Sequence, residues 1–416
     1  MVQESEVPEP VRPTATRERV ATLDVLRGVA ILGILIVNIE LFRGSDFYQV
    51  VMGEIPDYDG VDGAVQFGVG WLAYGKFLSS FALLFGLGAA MMSERAGVAG
   101  RPARGLLARR YVVLAVLGIL HMTLLFAGDI LFQYALAGFV LLLFLGVRAR
   151  TARWWAVGIG VAYLVLAVGF TTLAATAPEP AADDPVMQEM EAFFADRAAF
   201  AEQAFTTGGL GEQVAARSIE ALFLQSGQLF LLPWVLTLFL LGLAAGRAGL
   251  HRRLHEPWLR RTAMVALPVG LVLNLPSGFA GSLGAAAIGT GGEVDAAQTA
   301  GTMAAYLVGS PLLAVGYLSV IALLCQRPEV LARLDPLRRT GRMALTAYLS
   351  QSLLCTAFFV WLGFYDRLSP AAALLVVVAV WVIVVAGCTL WMSRFDMGPV
   401  ERLWRRLTYG RARAGA

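Results

Sequence analysis

The sequence predicts an all-α integral membrane protein, a polytopic bundle of about ten transmembrane helices with both termini cytoplasmic. Three observations carry that prediction. The 416-residue chain is 58% hydrophobic and only 15% charged, too little charge to cover the surface of a soluble fold. About ten apolar runs follow one another along it, each near the roughly 20 residues that cross a bilayer. The connections between runs alternate between arginine-rich and arginine-poor.

The runs occupy residues 23–42, 75–92, 106–127, 130–147, 154–175, 227–248, 263–283, 303–325, 343–364 and 371–392. One set of connections carries Arg95, Arg101, Arg104, Arg109 and Arg110, then Arg148, Arg150 and Arg153. The same side holds Arg247, Arg252, Arg253, Arg260 and Arg261, then Arg333, Arg338, Arg339 and Arg342, and the tail from Arg402 to Arg413. The alternate connections are acidic, through Glu54, Asp57 and Asp59, then Asp183, Asp184, Glu189 and Glu191, then Glu293 and Asp295. Positive residues stay cytoplasmic, which places both termini inside, and an even number of spans agrees. The expected setting is a cytoplasmic membrane. Residues 1–21 have no apolar core, and the first run carries Arg27, so it reads as a retained anchor and not as a cleaved leader.

The chain divides on this reading into a tail (1–22), five helices (23–176), an extracytoplasmic segment (177–226), five more helices (227–393) and a basic tail (394–416). Val61 to Tyr74 mixes glycine with Trp71 and suits the outer interface. In the long connection, Met187, Met190, Phe193, Phe194 and Phe200 recur at helical spacing among acids, as in an amphipathic helix that forms a lid or a packing cap. Cys325, Cys355 and Cys388 lie in or beside apolar runs with no metal-type spacing and read as packing residues.

Ionisable residues inside apolar runs are the candidates for chemistry, because they are expensive in a bilayer and face a bundle interior or a water-filled cavity. Asp24 and Arg27 open the first run at i, i+3, a spacing that allows an intrahelical pair. The planar fork of Arg27 also suits phosphate. His121 is the single histidine within a run and titrates near neutral pH, as a proton carrier must; a hydrogen-bonded core residue is the alternative. Asp129 follows in a tight hairpin between the third and fourth runs. Eight residues span about 12 Å along an unbroken helix, which would exclude a simple His–Asp dyad and leave Asp129 as a helix cap. Lys76 sits near the outer end of its run, where snorkelling explains it, and His251 and His255 fall on a solvated basic face. Thr346, Tyr348, Ser350, Gln351 and Ser352 either bond helix to helix or line a polar tunnel.

The chain contains no phosphate loop, zinc-type cluster or nucleophile elbow, so no metal site is expected. Membrane orientation accounts for the arginine clusters, and nucleic acid is not an expected partner.

The run from Leu23 through Asp24, Arg27 and Gly28 to Asn38 resembles the opening of the YeiB-like bacterial membrane proteins. So do Gly75-Lys76-Phe77, His121 with Gly128-Asp129-Ile130-Leu131 and Tyr134, and the C-terminal stretches at Gly341-Arg342-Met343 and Gly398-Pro399-Val400-Glu401. The last two resemble that family's domain of unknown function. The first helix also resembles, more distantly, the lysosomal heparan-α-glucosaminide acetyltransferases, which pass an acyl group from cytosolic acyl-CoA to a sugar across the membrane. Their active histidine follows the first span. This chain has no histidine from Asn38 to Met92, so His121 would supply the chemistry from another helix.

The resemblance implies an acyltransferase in which Asp24 and Arg27 bind acyl-CoA, the co-substrate, with no tightly bound cofactor. His121 and Asp129 act on the acyl group, and Lys76, Asn38, Tyr134, Tyr348 and Gln351 bind an extracytoplasmic acceptor. A transporter or flippase for a polar lipid or metabolite is the other expectation, with the same residues lining a pathway.

Overall fold

The computed structural model describes residues 21–44, 48, 58–100, 102–176, 184–254, 257–286 and 296–409. The acids Glu54, Asp57, Asp183, Glu293 and Asp295, together with Arg101, His255, Arg411 and Arg413, lie outside the described residues.

Among the described residues the chain is all-helical. It runs α1 (Ala21–Arg43), α2 (Gly60–Leu72), α3 (Lys76–Val98), α4 (Ala103–Leu124), α5 (Leu131–Leu141) and α6 (Ala149–Ala175). Next come α7 (Pro185–Thr206), α8 (Leu210–Phe230), α9 (Leu232–Arg247), α10 (Pro257–Leu273), α11 (Leu275–Ala286) and α12 (Ala296–Ala304). The chain closes with α13 (Ser310–Leu324), α14 (Pro328–Arg333), α15 (Asp335–Arg342), α16 (Ala344–Thr356), α17 (Pro370–Arg394) and α18 (Pro399–Tyr409).

Seven of the described helical segments are long and apolar enough to cross a membrane, and two bent pairs raise the number to nine. The sequence suggests about ten, and the difference lies in the run at 130–147. Its helix, continued to Phe144, has 14 residues, about 21 Å at 1.5 Å per residue, short of a hydrocarbon core of about 30 Å. The bent pairs are α8–α9, turning by 58°, and α10–α11, turning by 41°. Each break has a proline in the first turn of its second helix, Pro233 and Pro276, and proline cannot donate the backbone bond that would continue the helix.

Small residues set the closest helix pairings. Gly242 and Gly246 on α9 meet Gly86 and Ala90 on α3, and a Cβ at Gly86 or Gly242 would run into the facing backbone at Phe239 or Leu83. This four-residue spacing of small side chains replaces the hydrophobic drive that lipid removes between membrane helices. Gly28 and Gly341 bring α1 against α15 in the same way. As a result Asp24, Arg27 and Arg342 gather at one end of the bundle. Between α2 and α3 the chain turns at Gly75, whose φ of 78° favours glycine.

The segment expected at the outer interface is helix α2, continuous with α3 apart from that turn. The amphipathic helix expected in the long connection is α7. Its packed face is Ala201, Ala204 and Phe205, whereas Met187, Met190 and Phe193 are exposed.

Candidate functional site

Helix α4 stops at Leu124, where Leu125 and Phe126 both donate their N–H to the carbonyl of His121. The chain then folds back through Gly128 and Asp129 into α5. That reversal overturns the 12 Å spacing expected for a continuous helix: His121 Nδ1 lies 2.7 Å from Asp129 Oδ1. The other carboxylate oxygen, Oδ2, accepts the N–H of Phe132 at 2.9 Å in the first turn of α5. Dyad and cap, posed as alternatives by the sequence, are one carboxylate using its two oxygens. Both side chains are buried, His121 at 2% exposed and Asp129 at 0%.

Three neighbours hold this hairpin. Thr356 Oγ1 donates to the Leu125 carbonyl at 2.9 Å, and Gln225 Nε2 donates to the Asp129 carbonyl at 2.8 Å. Gly118, one turn before His121, leaves the space in which Asp129 and Phe132 approach α4. An ionised carboxylate only accepts, so Nδ1 is the donor in this bond. Nε2 is buried and has no hydrogen-bond partner.

A cavity of about 300 Å³ leads toward this pair from the arginine-rich end. Along α3 it extends from Arg95 to Phe81, about 21 Å. Its mouth is lined by Arg27, Arg95, Arg110, Arg342 and Arg405, against the carboxyl groups of Asp24 and Glu401. Five arginines against two acidic residues give this end of the cavity an excess of basic side chains. Asp24 accepts from Arg27 at 3.1 Å, as the i, i+3 spacing suggested.

Helix α18 closes one side of the mouth. The Arg110 guanidinium lies 3.7 Å over the Trp404 ring, and Trp404 Nε1 donates to the Arg110 carbonyl at 3.2 Å. Glu401 accepts the N–H groups of Leu345 and Thr346 at 2.8 and 3.0 Å, and also the Thr346 hydroxyl. It therefore caps α16 from another helix. Burial pushes the Glu401 carboxyl above its ordinary value, and the bonds from Thr346 and Leu345 restrain the rise.

Ile130, Leu131, Tyr134 and Tyr348 form the deep end. The Tyr134 hydroxyl donates to the Leu78 carbonyl at 2.9 Å. The Tyr348 ring packs on His121 with centroids 4.9 Å apart. His121 and Asp129 are not part of the cavity wall; they stand one side chain behind it.

Of the residues singled out by sequence, the structure thus joins Asp24, Arg27, Tyr134 and Tyr348 in one cavity with His121 and Asp129 behind it. It does not bring the others there. Asn38 is half-buried on α1, away from the cavity lining. Lys76 does not snorkel: it is 0% exposed, and Nζ donates to the Gly70 carbonyl at 2.8 Å, at the end of α2. Gln351 is buried, and its Nε2 has no partner. His251 is buried and not solvated, and burial, followed by the neighbouring Arg252, lowers its pKa.

The residues that sequence reasoning missed are Arg95, Arg110, Arg342, Arg405, Glu401 and Trp404. Their arginines were visible as orientation charges, but their convergence depends on how four helices pack.

The fold and the cavity define a polytopic α-helical membrane protein with a buried histidine–carboxylate pair behind an arginine-lined vestibule. Residues 245–411 match the family described as "Protein of unknown function (DUF418)". The chain is 33% identical to the uncharacterized protein YxaH of Bacillus subtilis (strain 168) over 96% of each chain. It is 31% identical to the uncharacterized protein YeiB of Escherichia coli (strain K12), over 94% of this chain and 96% of that one. An uncharacterized 39.9 kDa protein in the amylase 3′ region of Bacillus acidopullulyticus is 26% identical over 96% of each chain. The protein belongs to the YeiB-like family.

Proposed function

We propose that the protein is a transmembrane acyltransferase that takes its acyl group from an acyl-CoA entering at the arginine-rich end. The observation that carries this reading is the alignment of the arginine-lined mouth, the deep cavity and the His121–Asp129 pair. Phosphates of the donor rest on the arginines, and the thioester arm runs down beside Phe85 and Tyr134. The arginine-rich end is cytoplasmic by the positive-inside rule, with both termini inside and the protein in the bacterial cytoplasmic membrane.

At the deep end, displacement of the Tyr348 ring exposes His121 Nε2. Nε2 removes the proton from an acceptor hydroxyl or amine as that atom attacks the thioester carbonyl. The carbon–sulfur bond breaks, and the proton passes to the departing thiolate. Asp129 holds the ring and balances the imidazolium, and proton transfer by His121 contributes roughly 10²–10⁴-fold.

The test is the thermal stability of purified protein with acetyl-CoA, longer acyl-CoAs and free CoA. At a hundredfold excess over Kd a ligand stabilises the folded state by about 2.7 kcal/mol. A saturable shift that is lost in Arg27→Ala supports the donor site, and no shift with any thioester removes it.

One observation favours a transporter as the second reading. Two helix pairs break inside the bundle, and helices α13 and α16 adjoin π-helical turns at Ala305–Gly309 and Ala357–Trp361, the kind of discontinuity seen where substrates cross. Counterflow of labelled substrate without thioester cleavage would favour it.

A further inference from the structure

Resting on the acyltransferase reading, we propose that a second, smaller cavity on the far side of the hairpin is the acceptor site, and that it takes an uncharged hydroxymethyl group. The cavity lies at the end of the bundle opposite the arginine mouth. Its walls are the last residues of α1 (Leu41 and Phe42, with Gly44 beyond), the hairpin at Leu125, Phe126 and Ala127, and α8. Two cavities therefore approach the His121–Asp129 pair from opposite ends. On this side a single aromatic layer intervenes: Phe126 stacks on Phe42 with centroids 4.4 Å apart, and its ring lies 6.1 Å from that of His121.

Helix α8 connects this cavity to the pair. Arg217, Glu220 and Leu224 line the cavity, and Gln225, the next residue of the helix, places its Nε2 on the Asp129 carbonyl at 2.8 Å. Gln225 is 8% exposed, and its Oε1 is buried with no hydrogen-bond partner. An unpartnered acceptor on the side chain that already touches the Asp129 loop can receive the hydroxyl of an arriving acceptor.

Size and charge select the group. The cavity holds about 30 Å³, and a water-sized group needs roughly 10–15 Å³ on this measure, so a hydroxymethyl tip fits and a whole ring does not. Arg217 and Glu220 are the basic and the acidic side chain on the cavity wall, and the other walls, from α1, the hairpin, α7 (Phe205) and the segment with Val360 and Tyr365, carry neither kind. A neutral hydroxyl adds no charge to this wall. An ammonium would bury an additional, uncompensated cation.

The experiment uses the full-length protein in lipid nanodiscs with cysteine placed at Leu224 or, on the facing wall, at Val360. Native Cys325, Cys355 and Cys388 are buried. The rate of modification by a methanethiosulfonate reagent is measured with glycerol and with ethylammonium chloride. Glycerol at ten times its Kd should slow labelling about tenfold by occupancy, ethylammonium should not, and Glu220→Gln should abolish the protection. Two folded cysteine variants without protection by glycerol, or equal protection by ethylammonium, would overturn the proposal. This readout needs no donor, so it can succeed or fail separately from the acetyl-CoA stability test. A second arm measures glycerol-stimulated release of CoA from acetyl-CoA. Leu224→Trp, which fills the cavity, should remove the stimulation and leave the acetyl-CoA stability shift in place; stimulation that survives Leu224→Trp would also overturn it.

Discussion

Replacing Gly118 by alanine should break the His121–Asp129 bond with both residues left in place in the sequence. A Cβ at position 118 would lie 2.5 Å from the Phe132 nitrogen and 2.8 Å from Asp129 Oδ2, where ordinary contact begins at 3.4 Å. The hairpin must therefore retreat by about 0.9 Å, the difference between 2.5 and 3.4 Å. If that shift falls along the bond, the 2.7 Å separation of His121 Nδ1 from Asp129 Oδ1 becomes about 3.6 Å, beyond hydrogen-bond range. Losing a buried charge-assisted bond costs roughly 1.5–3 kcal/mol, and the overpacking adds about 1–3 kcal/mol. The expected loss of stability is thus several kcal/mol from one methyl group. Two assays read it: the unfolding midpoint of detergent-solubilised protein, and the imidazole N–H resonance of histidine-labelled protein. A Gly118→Ala protein with the parent midpoint and an unchanged imidazole resonance would refute the packing argument.

Further expectations follow from the other contacts. In the folded protein the Glu401 carboxyl titrates above its ordinary value of 4.5, so its protonated form is favoured by folding. The associated stability is greatest at low pH and is lost as pH rises from about 4.5 through the folded value. Glu401→Gln should flatten that part of the stability–pH curve relative to the parent, and parallel curves would reject the assignment. Arg110→Ala removes the guanidinium from the Trp404 ring and should lower stability by about 0.5–2 kcal/mol, with faster proteolysis of α18; unchanged proteolysis would show that the helix is held elsewhere. Gly242→Leu forces α9 away from the Leu83 backbone of α3 and should prevent recovery of folded monomer, whereas the exposed Gly169→Leu should be tolerated. Wild-type yield of Gly242→Leu would contradict the small-residue interface.

Helical class and the larger spans were legible in the sequence because a bilayer demands about 20 apolar residues per crossing, and that demand appears as uninterrupted runs. The pairing of Asp24 with Arg27 was legible for the same local reason, a fixed i, i+3 spacing. What escaped is what depends on where a helix stops. Gly128-Asp129 marked a hairpin, but the distance from His121 followed only once α4 was seen to end at Leu124. Lys76 looked like an interfacial cation, since nothing in its neighbourhood in sequence announces that α2 ends just before it and offers the Gly70 carbonyl. The arginine mouth was hidden more deeply. Arg27, Arg95, Arg110, Arg342 and Arg405 come from five segments; Arg27 stood out in the sequence, but each of the other four has a sufficient separate explanation as an orientation charge.

The central claim is that a donor bound at the arginine mouth is cleaved by the buried pair behind Tyr348. The most direct measurement is CoA release from acetyl-CoA, with glycerol supplied as the acetyl acceptor, by the parent protein and by His121→Ala, with acetyl-CoA binding measured on the same preparations. The account predicts saturable binding by both and release by the parent alone. Equal release by His121→Ala, or absence of binding by the folded parent protein, would contradict it.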